Sequence, residues 1–239
     1  MAEGMNRVIL LTSTVYPDIE NYDVDPEERK KEYISAINYY LKNTFYKIVI
    51  VDNSDYNFAD DIIDRRLECL FYKAVKEDAI YGKGYGESKI LSYAIKNSAF
   101  LQNAEQIVKI TGRHIIVNIE SLLSNCKNVD DVYIDVDLNF KYAHSYFFVC
   151  NKDFLNNYLL PLQEEMNDSK GSHFEHSLAK ALKCWKDNGA IHHEFKCPIH
   201  IKGHPGNSNL MYKPPSFSRK IRIWVKFYLN ELINLRKII

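Results

Sequence analysis

The sequence predicts a single Rossmann-like α/β domain with a mostly parallel central sheet and an amphipathic helix at its C-terminal end. Three observations carry this reading. Short apolar runs close on hydroxyl or acidic residues, helical periodicities fall between those runs, and a basic, apolar-striped segment follows Lys213-Pro214-Pro215. Alternating strand and helix patterns of this kind build parallel sheets.

Val8-Ile9-Leu10-Leu11 ends at Thr12-Ser13-Thr14, and Lys47-Ile48-Val49-Ile50-Val51 ends at Asp52-Asn53-Ser54. Continuous runs of this length read as strands buried on both faces, with their polar ends pointing the same way. Between them, Asp25-Pro26 is a helix cap followed by a first-turn proline. Tyr33, Ile34, Ile37, Tyr40 and Leu41 then keep helical spacing to about residue 42. A third strand is expected at Leu67 to Ala74 and a helix from about Glu87 to Leu101 carrying Ile90, Leu91, Ala94 and Ile95. The fourth strand runs from Gln106 to Ile110. Beyond Asp130 the pattern changes to β runs at Val132-Tyr133-Ile134 and Tyr146-Phe147-Phe148-Val149, then helices near 153–166 and 174–187. The expected organisation is a domain over 1–213, with a nucleotide-binding half to about 115 and an acceptor half from about 116. A tail helix occupies 214–239.

Bulk composition narrows the function. The chain has 239 residues, 46% of them hydrophobic, enough for one sizeable core and not for two full domains. Lys+Arg and Asp+Glu both number 31, so no global positive field draws the protein to nucleic acid. Cysteines at 69, 126, 150, 184 and 197 form no CxxC pair and are odd in number, which fits reduced thiols and a cytoplasmic location. The apolar run at Val8 is too short for a signal sequence, and no stretch approaches the roughly 20 apolar residues of a spanning helix.

In open parallel sheets, ligands bind beyond the carboxyl ends of the strands, where loops and helix N-termini converge. The residues placed there are Thr12, Ser13, Asp52 and Asn53, with Lys109, Thr111, Gly112 and Arg113 around the fourth strand. Asp52 can accept from a base or ribose hydroxyl, or it can simply start the Asp-Asn-Ser turn. Gly82-Lys83-Gly84-Tyr85-Gly86-Glu87 opens a helix, so glycine can admit a diphosphate while Lys83 supplies charge; a lid or a plain turn has the same composition. Asp135 and Asp137 alternate onto one side of an extended segment, as a hard divalent cation requires, or they are carboxylates on an exposed strand. Glu175 opens an amphipathic helix carrying Leu178, Ala179 and Leu182, where it can act as a general base or merely favour the helix dipole. No histidine spacing resembles a structural zinc site. His204 is kept as a candidate because it sits in Gly203-His204-Pro205-Gly206-Asn207-Ser208.

The strings Val8-Ile-Leu-Leu-Thr-Ser-Thr14, Ile50-Val-Asp-Asn-Ser54, Gly84-Tyr-Gly-Glu-Ser-Lys89, Val108-Lys-Ile-Thr-Gly-Arg113 and Gly203-His-Pro-Gly-Asn-Ser208 resemble the GT-A glycosyltransferases over about residues 7 to 212. They look most like small bacterial enzymes of capsule and O-antigen surface polysaccharide assembly. The resemblance implies that a nucleotide-sugar donor lies on Thr12 and Asp52, that the stretch after the fourth strand meets its diphosphate, and that the Glu175 helix faces the acceptor. One departure stands out, because the metal motif of that family ends the fourth strand and here the place holds Lys109-Ile-Thr-Gly-Arg113. Either Lys109 and Arg113 replace the metal and no cofactor is required, or Asp135 and Asp137 bind Mn2+ or Mg2+.

In the tail, Ile221, Trp224, Val225, Tyr228, Leu232, Leu235 and Ile239 mark one apolar helix face. Six bases against the single acid Glu231 leave residues 216–239 at +5 and the remainder at −5. An interfacial helix on the inner face of the cell membrane, within reach of a lipid-linked glycan acceptor, is one reading. A helix packed back on the domain or on another subunit is the other. The leading expectation is a glycosyltransferase. A sugar nucleotidyltransferase usually carries a glycine- and basic-rich loop directly after its first strand, where this chain has Thr12-Ser-Thr-Val-Tyr-Pro17. A non-catalytic membrane-associated binding module is the remaining alternative.

Overall fold

The computed structural model describes residues 5–17, 25–204, 212 and 216–238. Strand β1 (Arg7–Ser13) leads through helix α1 (Pro26–Asn43) to β2 (Lys47–Asp52), and β3 (Leu67–Phe71) follows. As expected, Asp25 caps α1, its carboxylate accepting from the Glu27 amide at 3.0 Å with Pro26 at the first turn. Helices α2 (Lys83–Asn97) and α3 (Ala99–Gln102) precede β4 (Gln106–Thr111). Next come β5 (Ile115–Ile116), α4 (Ile119–Leu123), β6 (Val132–Val136) and β7 (Ala143–Cys150).

The helix expected near 153–166 is broken. After α5 (Lys152–Phe154) the chain widens to a π turn at Leu155–Leu159 and tightens to a 3₁₀ run at Leu160–Glu165. Pro161, which has no amide hydrogen to give to an α-helical ladder, sits at the change. Helix α6 (Phe174–Asp187) matches the expected segment, and β8 (His192–His193), β9 (Ile201–Lys202) and α7 (Phe217–Ile238) complete the chain.

Seven strands form one sheet in the order β3-β2-β1-β4-β7-β6-β8. All neighbours pair parallel except β7, which runs antiparallel to both β4 and β6. The sheet therefore draws strands from both expected halves of the chain. Along β1, Val8 and Leu10 enter the core cluster on one face, with α2 and α6, while Ile9 and Leu11 enter the cluster on the other, with α1 and α4. Burial on both faces is why these strands read as unbroken apolar runs. Because β7 is antiparallel, its first residues lie at the sheet edge where β1, β2, β4 and β6 end.

Candidate functional site

Connectivity from β1 departs toward β2 on one side, and β4 lies on the other, which is the topological position where open α/β sheets bind ligands beyond the strand ends. Thr12 faces Thr111 in the β1–β4 register, and Ser13 faces Asp52 in the β1–β2 register. Thr12, Ser13, Asn53 and Thr111 line a cavity of about 640 Å³. That volume lies within the range of small-molecule sites. The strand caps do converge, and Lys83 and Gly86 line the same cavity.

Lys73, Lys76 and Arg29 also line the cavity, and no sequence motif singled them out. They come from α1 and from the irregular chain after β3, where only the fold brings separate bases together. Hydroxyls, an amide and several cations around one cavity, with the carboxylates Asp78 and Glu87 among them, suit a ligand carrying both a sugar or nucleoside and phosphate. Thr14 donates to the Asn53 side-chain oxygen at 2.7 Å, which sets the amide at the crevice lip.

Several expected residues have other occupations. Asp52 is fully buried: one carboxylate oxygen accepts from the Val15 amide at 3.0 Å, the other from the Ser54 amide at 2.7 Å and hydroxyl at 2.6 Å. Those bonds hold the two loops over the strand ends, and the carboxylate is not turned to the cavity. Gly112 is also outside the lining. A Cβ there would stand 2.6 Å from the Thr12 carbonyl oxygen, so glycine is required for the ends of β1 and β4 to meet. In the Gly82–Glu87 string, a Cβ on Gly82 would overlap the Asp168 side chain and one on Gly84 would lie 2.8 Å from the Phe174 amide nitrogen. Gly84 serves packing against the start of α6, while Gly82, close against Asp168, and Gly86 both line the cavity with Lys83.

Lys109, expected to meet the diphosphate, is completely buried. Its ammonium is paired with Glu87 and donates to the Ser145 carbonyl at 2.6 Å. Glu87, unassigned by the sequence, lines the cavity with Thr12 Oγ1 3.4 Å from its carboxylate. The Ser145 hydroxyl in turn donates to Glu175 at 2.7 Å. A continuous chain of polar groups thus links the crevice floor, through Lys109 and Ser145, to Glu175 at the first turn of α6.

Arg113 is buried and lies 3.3 Å from Glu32, whose other oxygen lies 2.7 Å from His204 Nδ1. Glu32 on α1 therefore joins Arg113 and His204, and neither of these lines the cavity. Burial lowers His114 to about 4, so it is neutral, with Nε2 3.1 Å from the His204 carbonyl. Residues 205–208 of the glycine loop lie outside the described residues.

The carboxylates of Asp135 and Asp137 do not fit a divalent cation. Asp135 lies 2.7 Å from the Lys226 ammonium and 3.9 Å from His144, while Asp137 is exposed in the turn between β6 and β7. Among the described residues, no group of three or more His, Cys, Asp or Glu side chains is placed to hold a metal.

No family model matches the chain, and no curated protein matches it. Among solved structures, the chain is similar to a protein provisionally described as a nucleotide-diphospho-sugar transferase from Desulfovibrio desulfuricans G20, with a TM-score of 0.48 and 9% identity over 80% of each chain. It is also similar to the inositol-1-phosphate CTP transferase from T. maritima, with a TM-score of 0.43 and 14% identity over 80% of this chain and 85% of that one.

Proposed function

We propose that the protein is a glycosyltransferase that moves a sugar from a nucleotide-sugar donor to an acceptor glycan, lipid-linked, in the assembly of a bacterial surface polysaccharide such as capsule or O-antigen. The observation that carries this reading is the crevice at the strand ends, lined by Thr12, Asn53 and Thr111 together with Lys73, Lys76 and Lys83. Hydroxyl and amide groups suit the nucleoside and sugar, and the lysines suit the diphosphate, whose charge must be balanced as it leaves. These lysines line the cavity and Lys109 and Arg113 do not, so in this reading they take the part expected of that pair.

Glu175 is the general base in this reading, aligned by the Ser145 hydroxyl. It takes the proton of the acceptor hydroxyl as the acceptor oxygen bonds to the sugar's anomeric carbon. The bond from that carbon to the phosphate oxygen breaks, and the nucleotide leaves with its electron pair. A single displacement of this kind inverts the anomeric centre. The reaction is placed at the inner face of the cell membrane, where a lipid-linked acceptor is presented.

The test is incubation with a panel of nucleotide sugars. Slow hydrolysis releasing free nucleotide is expected, with Glu175→Gln lowering turnover about 100-fold or more while donor binding persists. Exchange dependent on added pyrophosphate would instead mark a nucleotidyltransferase, and inertness toward every donor would mark a binding module.

A further inference from the structure

Helix α7 is attached to the domain by its polar side. Lys226 lies 2.7 Å from Asp135 and 3.1 Å from Glu194, and Glu231 lies 2.5 Å from His193 Nδ1. Asn234 donates to the His192 carbonyl at 2.8 Å, and the Asn230 side chain lies 3.3 Å from the His192 ring; both asparagines are buried. The apolar side faces outward: Trp224, Leu232 and Leu235 are 54%, 59% and 56% exposed. Amphipathic helices of globular proteins face the other way, apolar side in, and an apolar row of this length on a surface marks an interaction site.

We propose that α7 is a docked interfacial helix whose outward face binds an anionic phospholipid surface, while its polar side fixes the attitude of the domain on that surface. The sequence offered an interfacial helix or a helix packed back on the domain; the packing is observed on the polar side, and in this proposal the interfacial role falls to the opposite side. Charge selects the occupant. Residues 216–239 hold six bases and one acid; Glu231 is bound to His193 and Lys226 to Asp135 and Glu194, so outside those contacts the segment still carries five bases and no acid. Lys220 and Arg222 are exposed near the start of the helix. A second copy of the chain would bring the same positive segment against itself, whereas anionic headgroups complement it. The rings of Trp224 and Tyr228, with centroids 4.4 Å apart, suit the boundary between headgroups and acyl chains. Among the described residues no helix is long and apolar enough to cross a membrane, so the contact is along the surface.

This inference rests on the reading above only for what the membrane presents, a lipid-linked acceptor; lipid binding itself is measured without turnover. Full-length protein is mixed with phosphatidylcholine vesicles with and without phosphatidylserine and sedimented. Binding is expected to the phosphatidylserine vesicles, weakened about tenfold or more in a Trp224→Glu/Leu232→Glu variant and in a Lys220→Glu/Arg222→Glu variant. All four side chains are exposed, so the variants are expected to keep the wild-type circular dichroism. Helix content is expected not to rise on binding, since α7 is already formed. Three results would each overturn the proposal: equal sedimentation of wild type and variants, a large gain in helicity on vesicles, or a dimer that the Trp224→Glu/Leu232→Glu change converts to monomer. Lipid binding without donor turnover would leave this proposal standing and count against the transferase.

Discussion

The buried ammonium of Lys109 is paired with the carboxylate of Glu87, and the two differ in their access to water. Lys109 has none, whereas the Glu87 side chain is 21% exposed at the crevice floor. Removing either partner therefore leaves a different problem. Glu87→Ala strands a charged amine inside the protein with the Ser145 carbonyl and the faces of the Phe148 and Phe174 rings around it, while Lys109→Met leaves a carboxylate that can rehydrate from the cavity. Urea unfolding is expected to show a loss of about 3 kcal/mol for Glu87→Ala and clearly less for Lys109→Met. Equal losses, or the reverse order, would mean the pair does not bridge core and crevice.

Gly112 makes the meeting of two strand ends possible. A methyl group there would press on the Thr12 carbonyl at 2.6 Å and on the Tyr33 ring at 3.1 Å. Gly112→Ala is expected to cost about 1–3 kcal/mol in denaturant unfolding and to weaken nucleotide binding by parting Thr12 from Thr111. An unaltered midpoint would show that the strand ends have room to spare.

The docking of α7 carries a pH dependence whose sign follows from two groups. Burial alone would push His193 down, but its hydrogen-bonded neighbours Asp131 and Glu231 outweigh that and raise it. Its contribution is complete below the ordinary histidine value near 6.5 and drains away as pH rises through the raised value. Burial, joined by Asp135 and opposed by Lys226, raises Glu194 from 4.5 to about 8. A carboxyl that holds its proton more tightly when folded also favours the fold at low pH and loses that advantage on the way to 8. The urea midpoint is therefore expected to fall between about pH 6.5 and 8, with His193→Asn flattening the slope. A midpoint that rises over this range would contradict the arrangement around His193.

Because Asp135 is committed to Lys226, turnover of a donor is expected to survive a strong chelator. Complete loss of turnover in chelator, restored by Mn2+ or Mg2+, would require Asp135 to leave Lys226 and would overturn this assignment.

Local chemistry was legible in the chain and long-range pairing was not. Val8 to Leu11, closed by Thr12, and the Asp25-Pro26 cap declare β1 and α1 within a few neighbouring residues, because burial on two faces and helix capping are short-range requirements. The convergence of Thr12, Asn53 and Thr111 followed from the parallel sheet those elements imply. Glu87 with Lys109, Glu32 with Arg113 and Asp135 with Lys226 join residues 22, 81 and 91 positions apart, and only the folded chain brings them together. For that reason Lys109 and Arg113 read as phosphate ligands until their carboxylate partners are seen. The glycine string has two occupations at once: Gly82, Lys83 and Gly86 line the cavity, while the closeness of Gly82 to Asp168 and of Gly84 to Phe174 leaves the same sequence mark as a phosphate loop. In α7 the apolar stripe was plain, but which side meets the domain depends on His192 and His193 of β8.

Nucleotide binding in the crevice at the ends of β1 and β2 is open to calorimetric titration of the protein with nucleoside diphosphates and their sugar derivatives. Saturable binding of at least one of them is expected, weakened about tenfold or more by Lys83→Ala and by Thr12→Val. Absence of heat with every ligand, or a binding constant that neither substitution changes, would contradict the account.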